Sequence, residues 1–187
     1  MDDEKIRTAI RMLLEAIGED PEREALRDTP RRIAELCTDL YGGLERDPAD
    51  VLKIYPTGAA HELILARSIV FHSVCEHHLL PFLGSAHIAY VPDDGRVTGL
   101  SQLVKVVEIL AHRPQIQERL TNQIADTLAS TLDPKGVLVV LEAEHLCMTL
   151  RGVKKPGSRI LTTASHGCLR DGPKRAEVLS LLSNGRA

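Results

Sequence analysis

The chain lacks the features that would place it in a membrane, on nucleic acid or among repeat proteins. No apolar run approaches the roughly 20 residues that a helix needs to span a bilayer. Neither sign of charge is in excess, with 26 acidic and 23 basic residues, which argues against bulk binding to nucleic acid or an anionic membrane. Self-similarity of solenoid period is also absent. We therefore expect neither a membrane nor a nucleic acid as partner.

Cysteine is too sparse and too scattered to form a disulfide framework. The chain has four thiols, Cys37, Cys75, Cys147 and Cys168. Cys75 and Cys147 each have a histidine two or three residues away, whereas Cys37 and Cys168 are best interpreted as buried or incidental thiols. In a reducing compartment, thiols more often serve metals or chemistry. Because the first residues, MDDEKIRTAI, are acidic and amphipathic rather than signal-like, we expect a cytoplasmic location.

Two short segments, CEHH at 75–78 and HLC at 145–147, carry the strongest chemical signal. They offer Cys75 and His78 in a C-x-x-H spacing and Cys147 as a second thiolate, a ligand set that suits zinc. Three protein ligands leave one position open for water, whereas structural zinc sites usually close with four. Bound zinc lowers the pKa of that water to about 7, which makes hydroxide available for hydrolysis. A fourth ligand that completes a structural site, or a chance grouping at a strand end, stays open as an alternative.

The spacing of apolar residues predicts helices first and then a mixed region. One helix ends at Gly18, and a second begins at Thr29-Pro30 and ends at Gly42-Gly43, with Thr29 as its cap. Further on, the residues predict strands at 63–71, 86–91, 137–144 and 159–164, and helices at 100–111, 116–132 and 173–182. We therefore predict an N-terminal helical region over residues 1–60 and a catalytic domain over 61–187.

The predicted order of the second region is a strand pair, two helices, a strand pair and a tail helix. This order is an α+β pattern, because strands and helices are grouped rather than strictly alternating. Four strands make an open sheet, and exposed sheet edges favour pairing with another chain. We therefore expect the chain to assemble.

Three segments together resemble the type I GTP cyclohydrolases. They are SVCEHHLLPFLGSAHIAYVP, GLSQLVKVVEILAHRPQIQERLTNQIAD and EAEHLCMTLRGVKKPGS, in the family's order, and the resemblance runs over residues 28–182. It implies the tunnelling fold, with a ββααββ core and an antiparallel sheet preceded by N-terminal helices. It also implies a ring of five subunits, stacked face to face as a homodecamer, with active sites at the subunit boundaries.

The resemblance implies an activity as well. Such an enzyme opens the imidazole ring of the guanine of GTP at C8, releases formate and forms 7,8-dihydroneopterin triphosphate, the first step of folate and pterin biosynthesis. It implies Zn2+ as cofactor, with Cys75, His78 and Cys147 as the ligands. It also implies proton transfer by His77 and His145, because histidine titrates near neutrality; orienting a metal ligand is their alternative role.

The positions of both histidines can be anticipated. His77 adjoins His78 in the chain, so both side chains face one pocket only if the chain turns there. His145 lies two residues before Cys147, and in a strand these two would share a face. We therefore expect His145 to point towards the metal ligands.

Guanine and ribose recognition is implied by three further matches. Glu118 occupies the family position whose carboxylate accepts from N1–H and the exocyclic amine of guanine, and Gln117 is a plausible helper. Ser101 matches a family serine near the ribose, and the resemblance implies a catalytic role for it, because a hydroxyl there can assist ring opening. On local sequence alone, Glu118 would be an ordinary surface glutamate of a helix and Ser101 a helix N-cap.

The triphosphate end departs from the family pattern. Arg32, Lys105 and Arg151 match phosphate-contacting positions, but Gln102, Glu35 and His166 stand where basic residues are common. Because Lys105 lies one helical turn after Ser101, we hypothesise that it replaces the charge missing at Gln102. The alternatives are a divergent cyclohydrolase, with a different purine nucleotide or an early-stopping product, and a non-catalytic zinc-binding assembly module.

Overall fold

The N-terminal residues fold as a helical unit of their own. The computed structural model describes residues 1–58 and 63–183, and the chain divides into units Met1–Gly42 and Gly43–Ala187. The first unit contains α1 (Asp3–Ala16) and α2 (Thr29–Tyr41), as predicted, although α2 begins at Thr29 and its N-cap position is taken by Asp28. The predicted boundary between residues 60 and 61 lies outside the described residues.

The second unit contains the strands and the remaining helices. In chain order these are β1 (Ile54–Pro56), β2 (Ile64–Cys75), β3 (Pro81–Val91), β4 (Arg96–Thr98), α3 (Leu100–Ala111), β5 (Pro114–Gln115), α4 (Gln117–Leu132), β6 (Gly136–His145), α5 (Leu146–Thr149), β7 (Arg159–Gly167) and α6 (Gly172–Ser183). Five strands form one sheet in the order β5-β2-β3-β6-β7, antiparallel except for the parallel β2–β5 pair. Strands β1 and β4 form a separate antiparallel pair. Among the described residues, no helix is long and apolar enough to cross a membrane.

The predicted α+β class and the ββααββ core with its antiparallel sheet are confirmed. The strands are longer than their apolar runs, because β3 pairs with β2 from Pro81 onwards and with β6 from Phe82 onwards. No sequence pattern predicts the short elements β1, β4, β5 and α5. The three strands depend on pairing with other strands, and α5 is a single helical turn. The longer β2 matters for function, because its last residue is Cys75.

One face of the sheet packs against α3 and α4, and α6 covers part of the other. Phe82, Ile88 and Tyr90 of β3 are fully buried on the α3–α4 side. Near the start of β6, Val178 of α6 covers the opposite face. Because both faces are buried there, the sequence of β6 is a continuous apolar run. The other end of β6 carries the polar residues of the candidate site.

Candidate metal centre and active site

Two candidate metal ligands lie in a tight turn that follows β2. The N–H of Cys75 donates to the carbonyl of Leu80 at 2.8 Å, and the N–H of Leu79 donates to the carbonyl of Cys75 at 2.8 Å. Leu79 has a left-handed backbone, with φ of +52°, which is rare for a bulky residue. The turn brings His78 Nδ1 to 4.0 Å from Cys75 Sγ. The turn that His77 and His78 require in order to face one site is therefore present.

The third candidate ligand comes from the end of β6. This strand ends at His145, and the single-turn helix α5 then carries Cys147. The ligand atoms of Cys75, His78 and Cys147 all lie within 4.8 Å of one another. The prediction that His145 and Cys147 share a strand face is wrong, because the chain leaves the strand between them. The helical turn nevertheless brings Cys147 to the other two ligands.

The three side chains fit a zinc ion by their chemistry. Two thiols and one imidazole are a donor set that zinc prefers. Among residues 1–58 and 63–183, these three side chains are the ligands found in the group. Burial raises the pKa of the Cys147 thiol, and the hydrogen bond and charge of Cys75 raise it further. Two neighbouring thiolates are therefore unfavourable without a cation, and a cation relieves this cost.

Arg151 lies beside the metal-binding group. Its guanidinium contacts His78 Nε2, the ring nitrogen that faces away from Cys75. Arg151 follows α5, so the segment that carries Cys147 carries this cation as well. One of the three predicted phosphate-binding residues thus sits next to the candidate ligands.

A pocket of about 280 Å³ opens against this group. Cys75 and Cys147 line it, together with His77, Glu118 and His145. Glu118 is the second residue of α4 and is exposed, so its carboxylate is available to a ligand. The structure thus brings both predicted proton-transfer residues and the predicted guanine-binding carboxylate to one cavity.

His145 is held on two sides. Its ring stacks on Phe82 with centroids 4.5 Å apart and planes 4° from parallel, and its Nε2 lies 2.7 Å from Gln117 Oε1. Burial lowers the pKa of His145, and the negative charge of Glu118 acts against that shift. Phe82 lies directly opposite His145 in the β3–β6 ladder, which explains the stack. The sequence gives no direct signal for this contact.

Gln117 lines the same pocket, but its side-chain amide is engaged inside the protein. Its side chain is 1% exposed, and its amide nitrogen contacts the carbonyls of Leu141 and Ile160 at 3.2 and 2.9 Å. Assistance in guanine binding stays a prediction for this residue, whose amide is already engaged inside the fold.

Sequence reasoning missed the link between the ligand turn and the start of α4. Arg119 forms an ion pair with Glu76, and its Nε donates to Gln115 Oε1 at 3.0 Å. The hydrogen bond from Arg119 lowers the pKa of Glu76. The only sequence signal was that Arg119 follows Glu118, and such pairs are common on helix surfaces. The link fixes Glu118 relative to the turn that holds Cys75.

Two predicted residues lie away from the pocket. Ser101 and Lys105 are exposed near the start of α3, whereas β5 and the pocket follow its other end. Twelve residues make this helix about 18 Å long. The N-cap of α3 is Gly99, so the interpretation of Ser101 as the N-cap is wrong.

The departures from the family pattern have local partners. Gln102 Oε1 accepts from the N–H groups of Gly99 and Lys53, at 3.1 and 3.0 Å, and from Thr98 Oγ1 at 2.5 Å. In α2, Glu35 pairs with Arg31, and on β7 His166 pairs with Asp126. Arg32 lies in the first unit, where it pairs with Asp28 at 3.8 Å. All three departures therefore make local contacts in this fold.

An α+β fold with two thiols and an imidazole grouped beside a pocket that contains histidines and a carboxylate is typical of metal-dependent enzymes. A family model described as GTP cyclohydrolase I matches residues 6–183. The chain belongs to the GTP cyclohydrolase I family.

Individual relatives agree with this assignment over nearly the full chain. "GTP cyclohydrolase 1" of Carboxydothermus hydrogenoformans is 54% identical over 98% of this chain and 96% of its own. The protein of the same name from Thermoanaerobacter pseudethanolicus is 54% identical over 98% of each chain. A solved structure of the archaeosine synthase QueF-Like in the apo form aligns with 62% of this chain and 100% of its own, at 16% identity and a TM-score of 0.47. That likeness is too distant to bear on function.

Proposed function

We propose that this chain hydrolyses the imidazole ring of the guanine of GTP at C8, releases formate and forms 7,8-dihydroneopterin triphosphate for folate or another pterin-derived pathway. One observation carries the proposal. Cys75, His78 and Cys147 converge within 4.8 Å beside a pocket that also contains His77, His145 and Glu118. A purely structural metal site has no need of these last three residues.

Zinc is the proposed cofactor, held by the two thiolates and the imidazole. When bound through three protein ligands, zinc supplies a water whose pKa falls to about 7. The exposed His78 and the half-buried Cys147 leave the group open to the pocket rather than sealed in the core. This openness favours a catalytic site over a structural one.

The remaining pocket residues have complementary roles. The Glu118 carboxylate accepts from N1–H and the exocyclic amine of guanine, which orients the base. His77 and His145 exchange protons with the ring nitrogen and with the opened intermediate. Because burial lowers the pKa of His145, its neutral form is favoured near neutrality, and a neutral imidazole can accept a proton. The predicted cytoplasmic location, with its reducing conditions, belongs to the same proposal.

The ribose and triphosphate groups are recognised from a second direction. Arg151 is the cation adjacent to the pocket, and Arg32 and Lys105 are the further proposed phosphate contacts. Ser101 and Lys105 lie at the far end of α3 from the pocket of their own chain. We therefore propose that a neighbouring copy supplies them, within two stacked pentamers whose open sheets join edge to edge.

A second candidate function is favoured by Gln102. Its side chain is uncharged, so this position offers the triphosphate no cation. Its amide oxygen accepts hydrogen bonds from Gly99, Thr98 and Lys53 instead. The alternative is the same ring opening on a different purine nucleotide. Comparison of GTP, GDP and GMP as substrates distinguishes the two, because a GTP enzyme should have the highest kcat/KM on GTP.

Product analysis tests the proposed function. Zinc-loaded protein is incubated with GTP, and formate and oxidised, fluorescent pterin are both quantified. Cys147→Ala should yield neither product, and Cys168→Ala should match the wild type because this exposed thiol lies outside the ligand group. A chelator should abolish activity, and zinc should restore it. Full activity in protein shown to be metal-free would refute the zinc mechanism. If no guanine nucleotide yielded formate, the proposed cyclohydrolase activity would be refuted.

A further inference from the structure

The buried amide of Gln117 points to a role that differs from substrate binding. We infer that Gln117 is a positioning residue that holds the neutral His145 ring in one tautomer, with its proton on Nε2 and its lone pair on Nδ1. The catalytic consequence of this positioning rests on the proposed function, in which His145 exchanges protons with the substrate.

The orientation of the Gln117 amide is fixed by its surroundings. Its nitrogen lies 3.2 Å from the carbonyl oxygen of Leu141 and 2.9 Å from that of Ile160. A main-chain carbonyl only accepts hydrogen bonds, so both contacts require the amide nitrogen at this position. Flipping the amide would place its oxygen against two other oxygens. Such a network is the basis for assigning an amide orientation.

A chain of hydroxyl groups supports the same orientation. The Thr121 hydroxyl donates to the main-chain carbonyl of Gln117 at 2.7 Å, so it must accept in its contact with Thr162 at 2.6 Å. The single hydroxyl proton of Thr162 is therefore used towards Thr121. Thr162 Oγ1 then serves as acceptor for the Gln117 amide nitrogen, at 3.1 Å. The two hydrogens of the amide nitrogen thus face three acceptors, and each of the three requires the nitrogen on this side.

The amide oxygen of Gln117 is then the group that faces His145. It lies 2.7 Å from Nε2 and can only accept, so Nε2 must carry the proton. In a neutral imidazole the other nitrogen, Nδ1, is then unprotonated. Among the described residues, Nδ1 has no hydrogen-bond partner. It is thus the ring nitrogen left for exchange with a pocket ligand.

The stacking of His145 on Phe82 restricts rotation of the imidazole ring. Phe82 lies parallel to it, with planes only 4° apart, so the plane of the imidazole is set by stacking. Within that plane, the Gln117 hydrogen bond determines which nitrogen faces inward. Both neighbours are fully or almost fully buried, at 0% exposed for Phe82 and 1% for Gln117. The ring is therefore oriented by the fold before any ligand arrives.

Nitrogen chemical shifts of the imidazole test the inference directly. The zinc-loaded full-length protein is labelled with 15N-histidine, and the His145 signals are identified by their loss in His145→Gln. At a pH where the ring is neutral, we expect the pattern of a protonated Nε2 and an unprotonated Nδ1. Observation of the reverse tautomer in the wild type would overturn the inference without any reference to activity.

Variants separate the hydrogen bond from general packing. Gln117→Leu removes the acceptor, so the protonated-Nδ1 tautomer should appear. Gln117→Glu keeps an acceptor, so Nε2 should stay protonated, although the carboxylate also favours the charged ring and gives up the donor to Leu141 and Ile160. Gln123→Leu is the matched control on α4, because Gln123 accepts from Gln115 and does not contact His145. A wild-type pattern in Gln117→Leu would also overturn the inference.

Kinetics add a readout that packing alone would not produce. Loss of an outer residue that orients a catalytic group typically lowers activity about 10- to 100-fold. We expect Gln117→Leu to lower kcat to this extent with little change in KM for GTP, and Gln117→Glu to recover part of it. A rise in KM alone would instead assign Gln117 to guanine binding. A normal tautomer in a protein without cyclohydrolase activity would refute the proposed function and leave the structural inference intact.

Discussion

The two ends of helix α3 in the second unit differ in whether they lead to the candidate site of their own chain. Beyond its last residue, Ala111, the chain forms β5 and α4 and reaches a pocket where ligands, histidines and a carboxylate already meet. At its first turn, Ser101 and Lys105 are exposed, and Gln102 is engaged by its own chain. A single copy thus brings together the residues proposed for ring opening, whereas Ser101 and Lys105 lie away from that pocket.

The two halves of the proposed site therefore depend on different features of the structure. The metal end depends on strand pairing and buried hydrogen bonds within one chain. The phosphate end depends on side chains in solvent and, by our proposal, on a neighbouring copy. Changes at the first end should therefore abolish the chemistry, and changes at the second should alter affinity or assembly-dependent activity.

We expect the greatest change in activity when two impaired variants are mixed. Cys147→Ala removes a metal ligand, and the double variant Ser101→Ala with Lys105→Ala removes the far-end residues. If each site takes these halves from different copies, equal co-expression should restore about a quarter of wild-type activity, since half of the donors at each position are intact. Activity of purified mixed assemblies provides the measurement.

Its control uses two changes at the same end. Co-expression of Cys147→Ala with Cys75→Ala should restore nothing, because both residues come from one chain. Absence of recovery in the first mixture as well, from variants that assemble normally, would show that one copy provides the whole site.

A smaller effect is expected from Lys105→Ala alone. A charge-assisted hydrogen bond contributes about 1.5–3 kcal/mol, which corresponds to about a 10- to 100-fold loss of affinity. We therefore expect KM for GTP to rise by that factor while kcat changes little. Lys174→Ala, on α6, controls for the loss of one positive charge. An unchanged GTP affinity in Lys105→Ala would exclude compensation for Gln102.

The smallest effect is expected at Gln102, and on stability rather than affinity. Gln102→Ala removes the acceptor for the N–H of Gly99 at the start of α3, and losing such a cap costs about 0.5–2 kcal/mol. Urea unfolding should show this loss, while KM for GTP stays near the wild-type value. Glu108→Ala, on an exposed position of the same helix, should change stability by less than about 0.5 kcal/mol. A higher KM in Gln102→Ala would mean that this amide contacts the substrate after all.

The parts of the fold set by local patterns were predictable. Apolar periodicity predicted α1, α2, α3 and α4, and the C-x-x-H spacing predicted that Cys75 and His78 approach each other. Contacts made across strands were not predictable, because they depend on register. The stack of Phe82 on His145 is one example, and the amide contacts of Gln117 with β6 and β7 are another. The error at Cys147 arose because strand β6 ends at His145. The residue types around this position do not indicate that the strand ends there.

The turn between Cys75 and Leu80 has a consequence for how a metal is acquired. Its main-chain hydrogen bonds and the left-handed backbone of Leu79 are features of the folded chain itself. A left-handed conformation costs a bulky residue about 1–2 kcal/mol, and the hydrogen bonds of the folded turn help to offset that cost. By our proposal, Cys75 and His78 are therefore a preorganised bidentate chelate. A metal ion that binds them would have little chain entropy left to remove at this turn.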